Sequence, residues 1–171
     1  MADKAPIGIA RNMAIIAAIL LIGLMTLLFG DLLDRQNNPN QAISVSVDGN
    51  GNRTVRLERN AFGHYVASGE INGADVEFLL DTGATEVSVP EGIARRAGLK
   101  RGAQMPVSTA AGVAYVYHTR IEELRLGPLI QRGVSATINP HMPDDEVLLG
   151  MNFLRHLKFT QQGDTLILEA P

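Results

Sequence analysis

The run Val76-Glu77-Phe78-Leu79-Leu80 closes on the tetrad Asp81-Thr82-Gly83-Ala84. This junction constrains the fold more than any other stretch. An apolar run of this length and composition reads as a core strand. Asp, Thr and Gly directly after it make a tight turn that sets a carboxylate on a backbone loop at the strand end. Gly83 fits a turn in which a β-carbon would be crowded. A carboxylate held this way accepts hydrogen bonds from local N–H groups and faces a cleft, an arrangement suited to acid–base work on a water molecule. Taken alone, the same triplet also describes an ordinary solvated hairpin.

The surroundings narrow the choice. Thr85-Glu86-Val87-Ser88-Val89-Pro90 alternates like a strand. Far downstream, Val147-Leu148-Leu149-Gly150-Met151-Asn152-Phe153-Leu154 reads as an apolar strand, a glycine and a short helical stretch. Together these segments resemble the retropepsin-like, single-lobe aspartic proteases of the bacterial membrane-anchored type. That family carries two apolar residues before Asp-Thr/Ser-Gly-Ala/Ser, and later two apolar residues before a glycine and a short helix. The resemblance covers roughly Phe62 to Leu168. It implies an all-β fold, a closed barrel forming one acid-protease lobe with one or two short helices.

Composition excludes several other chemistries. The formal charge is −3 and the basic residues are scattered, which speaks against a nucleic-acid surface. The absence of cysteine rules out disulfides, thiolate metal sites and a cysteine nucleophile. His64, His118, His141 and His156 are dispersed without metal-ligand spacing, so no metal or other cofactor is expected. Asp144-Asp145-Glu146 reads most simply as a solvated acidic loop.

The N-terminus is a separate matter. Met13 to Gly30 is uncharged and strongly apolar, about 18 residues and near the lower limit for crossing a bilayer. Lys4 and Arg11 precede it, and Asp31, Asp34 and Arg35 follow it. The positive-inside rule places the N-terminus in the cytoplasm and the remainder outside. The apolar core exceeds the usual signal-peptide length, and Leu28-Phe29-Gly30 is a poor cleavage site. An uncleaved single-pass anchor in the cytoplasmic membrane, with a periplasmic domain, is the reading carried forward.

The chain then divides as a cytoplasmic N-terminus over 1–12, an anchor over 13–30, a polar linker over 31–42, a possible extra hairpin over 43–60 and the protease domain over 61–171. Asn72-Gly73 between two apolar runs is a strong hairpin signal. Strands are expected over His64–Ile71, Asp75–Leu80, Glu86–Val89, Val107–Ala110, Ala114–Leu126, Leu129–Ile138, Val147–Leu149 and Thr165–Leu168. Helices are expected over Pro90–Ala97, with proline at the first helical position, and over Asn152–His156.

Aspartic-protease chemistry needs two carboxylates about one hydrogen bond apart, sharing a proton. The sequence supplies one. Asp164-Thr165 is followed by Leu166 and lacks both the glycine and the preceding apolar run. A two-fold dimer solves this by bringing Asp81 of both chains to the axis. The resemblance implies such a homodimer. It also implies that Thr82 ties the two loops together, with Gly83 and Ala84 completing the loop and dimer contact, although ordinary turn chemistry also accounts for Thr82. It further implies a flap, for which Thr109-Ala110-Ala111-Gly112 has the right position and small side chains. Leu148, Leu149 and Gly150 would support the catalytic loop. Tyr115 and Tyr117 share one strand face and either line the cleft or pack the core.

Two departures matter. Ala84 offers no hydroxyl to the carboxylate, which predicts activity at milder pH than a stomach-type enzyme. Thr85 stands where retroviral relatives often carry an acid, so subsite contacts do not transfer there. The expected function is a membrane-anchored aspartic endopeptidase that binds a protein or peptide as an extended strand. The alternatives are a non-catalytic dimerisation or peptide-binding module on the same fold, and a tethered structural β domain.

Overall fold

The apolar N-terminal segment folds as helix α1 (Ile7–Asn37), rich in the Leu, Ile, Met and Ala that a helix tolerates well. In this computed structural model, which describes residues 7–47, 53–109 and 112–170, the chain forms two units, Met1–Gln36 and Asn37–Pro171. Ala10–Asn37 is long and apolar enough to cross a membrane, and its apolar side chains are exposed on all sides.

The stretch expected as a linker behaves differently from its composition. The helix continues through Asn37, and Asn38 and Asn40 are only 1% and 4% exposed. Asn40 Nδ2 donates to Glu58 O at 2.9 Å and Val66 O at 2.6 Å, while Glu58 N donates to Asn40 Oδ1 at 2.7 Å. Asn38 Nδ2 donates to Ser68 Oγ at 3.0 Å and to Glu77 Oε1 at 2.9 Å. Buried amides demand such partners, and here the partners lie far along the chain.

The second unit is built from β1 (Ser44–Val47), β2 (Arg53–Glu58), β3 (Val66–Ile71), β4 (Ala74–Leu80), β5 (Val87–Pro90), helix α2 (Glu91–Arg96), β6 (Gln104–Thr109), β7 (Gly112–Leu126), β8 (Leu129–Asn139), β9 (Val147–Leu149), helix α3 (Met151–Leu154), β10 (Lys158–Gln162) and β11 (Thr165–Glu169). The larger sheet runs β3-β4-β9-β5-β8-β7-β6, and a further β3–β7 pairing joins its ends into a closed ring with β6 outside it. The smaller sheet runs β1-β2-β11-β10. The early hairpin therefore shares the domain's framework, and Val55 and Leu57 of β2 are fully buried in its core.

Local chemistry explains the joints. Asn72 and Gly73 have φ of 51° and 79°, as the tight Asn-Gly hairpin between Ile71 and Ala74 requires. Pro90 is the residue before the first helical turn of α2 rather than its first member, with extended φ and ψ of −57° and 151°. β10 was not expected from the sequence, because all five of its residues are exposed and no apolar alternation marks it. Phe78, Ile71, Ile121, Leu124, Val87 and Ile138 anchor the core inside the ring.

Candidate active-site loop

Strand β4 delivers Asp81 to the end of the ring. Its neighbour β9 lies parallel to it, with Leu80 opposite Leu149. Asp81 N donates to Leu149 O at 3.2 Å, and Ala84 N closes the turn onto Asp81 O at 3.2 Å. The carboxylate folds back over this turn and accepts the Gly83 N–H on Oδ1 at 2.8 Å. Gly83 does not adopt the left-handed backbone. A β-carbon there would lie 3.1 Å from Asp81 Oδ1, a tight approach to the carboxylate. Thr82 and Gly83 are exposed, and Asp81 is half-buried.

The second motif cradles this loop from behind. Met151 N donates to Ala84 O at 2.8 Å and Asn152 N to Thr85 O at 3.0 Å. Gly150 passes so close that a β-carbon would overlap Glu86 O and lie 2.9 Å from Ala84 O. Leu148 pairs with Leu79 on one side and Ser88 on the other, so the apolar pair stitches β9 into the sheet. One side chain whose role the sequence did not single out is Asn152. Its Oδ1 accepts Val87 N–H at 3.1 Å and its Nδ2 donates to Ser135 O at 2.6 Å, clamping β5 to β8. The only signal for it was its place two residues after Gly150.

The acid that follows the loop, Glu86, turns onto β8, where Ser135 Oγ donates to its Oε1 at 3.0 Å. The expected flap is the β6–β7 hairpin. Thr109 and Gly112 face each other across it, and Thr109 Oγ1 donates to Gly112 O at 2.8 Å. Ala110 and Ala111 lie outside the described residues. Val113 and Tyr115 are exposed on the hairpin. Tyr117 instead sits at its base beneath the Arg101 guanidinium, 4.5 Å from the ring centroid, and Arg101 pairs with Glu91 of α2.

The acidic loop is more than a solvated turn. Asp144 Oδ1 accepts the Gly92 N–H of α2 at 2.6 Å. The Glu146 carboxyl is held above its ordinary range, first by burial and then by the charges of Asp145 and Glu77, with His64 opposing. Concavities among the described residues include two that bear on this loop and on the acidic loop. The larger, about 740 Å³, is lined by Glu70, Asp75, Glu77, Arg96, Arg125 and Asp145 and does not include Asp81. The smaller, about 340 Å³, adjoins the loop at Thr82 and is otherwise lined by Tyr65, Leu80, Leu154, Phe159, Gln161, Leu166 and Leu168. Among the described residues no group of three or more histidines and carboxylates is placed to hold a metal ion.

A closed β lobe with an Asp-Thr-Gly turn backed by a Leu-Leu-Gly strand defines a single-lobe aspartic protease domain. Residues 67–156 match the gag-polyprotein aspartyl protease family, and the chain belongs to this family of retropepsin-like aspartic proteases. The crystal structure of a retropepsin-like aspartic protease from Rickettsia conorii has the same fold, with a TM-score of 0.58 and 22% identity over 75% of this chain and 94% of that one. An uncharacterised Sinorhizobium protein from the cobV 5′ region is 30% identical over 136 residues, which are 78% of this chain and 58% of that relative.

Proposed function

We propose that this chain is a membrane-anchored aspartic endopeptidase that works as a homodimer, with Asp81 as the catalytic residue of each copy. The observation that carries this reading is the pinned Asp81 carboxylate. It is held by Gly83 N–H on an exposed turn, and a second Asp-Thr-Gly is missing from the sequence. A two-fold axis beside Thr82 and Gly83 would set two such carboxylates face to face. Like charges that close cannot both ionise, so the pair would share one proton. The ionised member takes a proton from water as the water attacks the scissile carbonyl. The protonated member donates to the carbonyl oxygen.

The β6–β7 hairpin would act as the flap, with substrate lying beneath it as an added extended strand. Helix α1 would anchor the chain in the cytoplasmic membrane, its N-terminus inside and the catalytic unit in the periplasm. The test is cleavage of a proteome-derived peptide library by the full chain in detergent, read by mass spectrometry. The parent should cleave and Asp81→Asn should not, with unchanged far-UV circular dichroism. Equal cleavage by both would remove the mechanism. Binding without cleavage by the parent would favour a peptide-binding module.

A further inference from the structure

The loop between β2 and β3 carries an aromatic side chain at its tip. Ala61-Phe62-Gly63 is uncharged and exposed, with Phe62 at 69%. A lone exposed phenylalanine needs no explanation by itself. This one is held out by its turn. Asn60 Oδ1 accepts the N–H groups of Phe62 at 3.0 Å and of His64 at 2.9 Å. Asn60 N donates to His64 O at 2.7 Å, and Gly63 N donates to Asn60 O at 3.0 Å. Gly63 has φ of 85°, a left-handed backbone that glycine adopts without steric cost. Folding Phe62 back onto the domain would break these bonds.

The same asparagine fixes where the tip lies along the chain. Asn60 Nδ2 donates to Asn37 O at 3.0 Å, and Asn37 is the last residue of α1. The residues that follow are fastened too, by the Asn38 and Asn40 amides and by the bridge between Asn40 and Ala67. Between Gly30, where the uncharged run ends, and Asn37 the helix rises only about 10 Å. Leu32 and Leu33 are exposed within that interval and extend the apolar surface toward Asn37. The polar layer of a bilayer is roughly 5–8 Å thick on each side. Phe62 lies two residues from Asn60, a reach of at most about 7 Å.

We propose that Phe62 is a second membrane contact, its ring seated at the boundary between headgroups and acyl chains of the bilayer that α1 spans. The inference rests on the membrane anchor proposed above and adds a point of attachment to it. A ring at this depth leaves water for hydrocarbon, and Ala61 and Gly63 bring no charge that must be desolvated with it.

The chain has no tryptophan, so an introduced one is its sole indole. The test places the full chain in liposomes made with and without brominated phosphatidylcholine, since bromine quenches tryptophan only at close range. Leu21→Trp, within α1, reports the anchor and should be quenched most by bromines deep in the acyl chains. Phe62→Trp should emit at shorter wavelength than Val113→Trp, another exposed position, and be quenched several-fold more. Its quenching should be strongest with bromines near the headgroup, and Ala61→Trp should behave alike. If Leu21→Trp is quenched but neither tip variant exceeds Val113→Trp, the Phe62 contact is wrong and the anchor stands. A blue-shifted tip without bromine quenching also overturns the contact, because the ring then lies against protein. If Leu21→Trp escapes quenching, the anchor reading fails and the Phe62 contact with it.

Discussion

Gly150 lies against Ala84 so closely that a methyl group on the glycine would sit 2.9 Å from the Ala84 carbonyl oxygen. The glycine of the second motif is thus a spacer for the loop that carries Asp81. Gly150→Ala should force that loop away from β9. Overpacking of this kind costs about 1–3 kcal/mol. A lower denaturant midpoint, with peptide cleavage reduced by more than stability alone explains, is expected; an unchanged midpoint would refute the spacer role.

Asn152 joins Val87 to Ser135 through both ends of one amide. Asn152→Ala leaves a backbone donor and a backbone acceptor without that partner, a loss of about 1–3 kcal/mol. Asn152→Asp should fail to rescue, because its second oxygen would face the Ser135 carbonyl. Chemical denaturation of the three proteins checks the order.

The Asn40 amide serves Glu58 and Val66 at once. Asn40→Ala should destabilise the second unit by about 2 kcal/mol or more. It should also speed hydrogen exchange at the Glu58 N–H, which loses its acceptor. A truncated chain that starts after Gln41 should show the same weakening, and one that starts at Asn37 should not. Equal stability of the two truncations would contradict this.

Glu146 gives a pH-dependent prediction. Burial and the neighbouring Asp145 and Glu77 raise its carboxyl above the ordinary 4.5. A raised acid favours the fold while protonated; that contribution is full below about 4.5 and is lost as pH rises through the folded value. Glu146→Gln stays neutral throughout. It should be more stable than the parent near neutral pH, and the gain should fade in acid. Thermal unfolding across that window provides the measurement; a gain that persists in acid would point to another cause.

Local signals made part of the architecture readable. Asn72-Gly73 announced its hairpin because few other pairs accept positive φ twice in succession. The Asp81 turn and the Val147–Leu149 strand stood out because apolar runs met special turn residues. Three features stayed hidden for physical reasons. Asn38 and Asn40 look like linker residues, since their burial depends on partners distant in the chain. β10 shows no alternation because both of its faces are exposed. Asn152 acts through backbone groups of β5 and β8, which leave no trace in side-chain identity.

The scaffold around Asp81 is written largely in main-chain contacts: Asp81 to Leu149, Met151 to Ala84 and Asn152 to Thr85. Such contacts are indifferent to most exchanges of the residues that make them. The loop can hold its shape while the surrounding letters drift, and only the few places where bulk or charge is intolerable stay under tight constraint. A lobe built this way can be shared with a Rickettsia chain that matches it at 22% of positions.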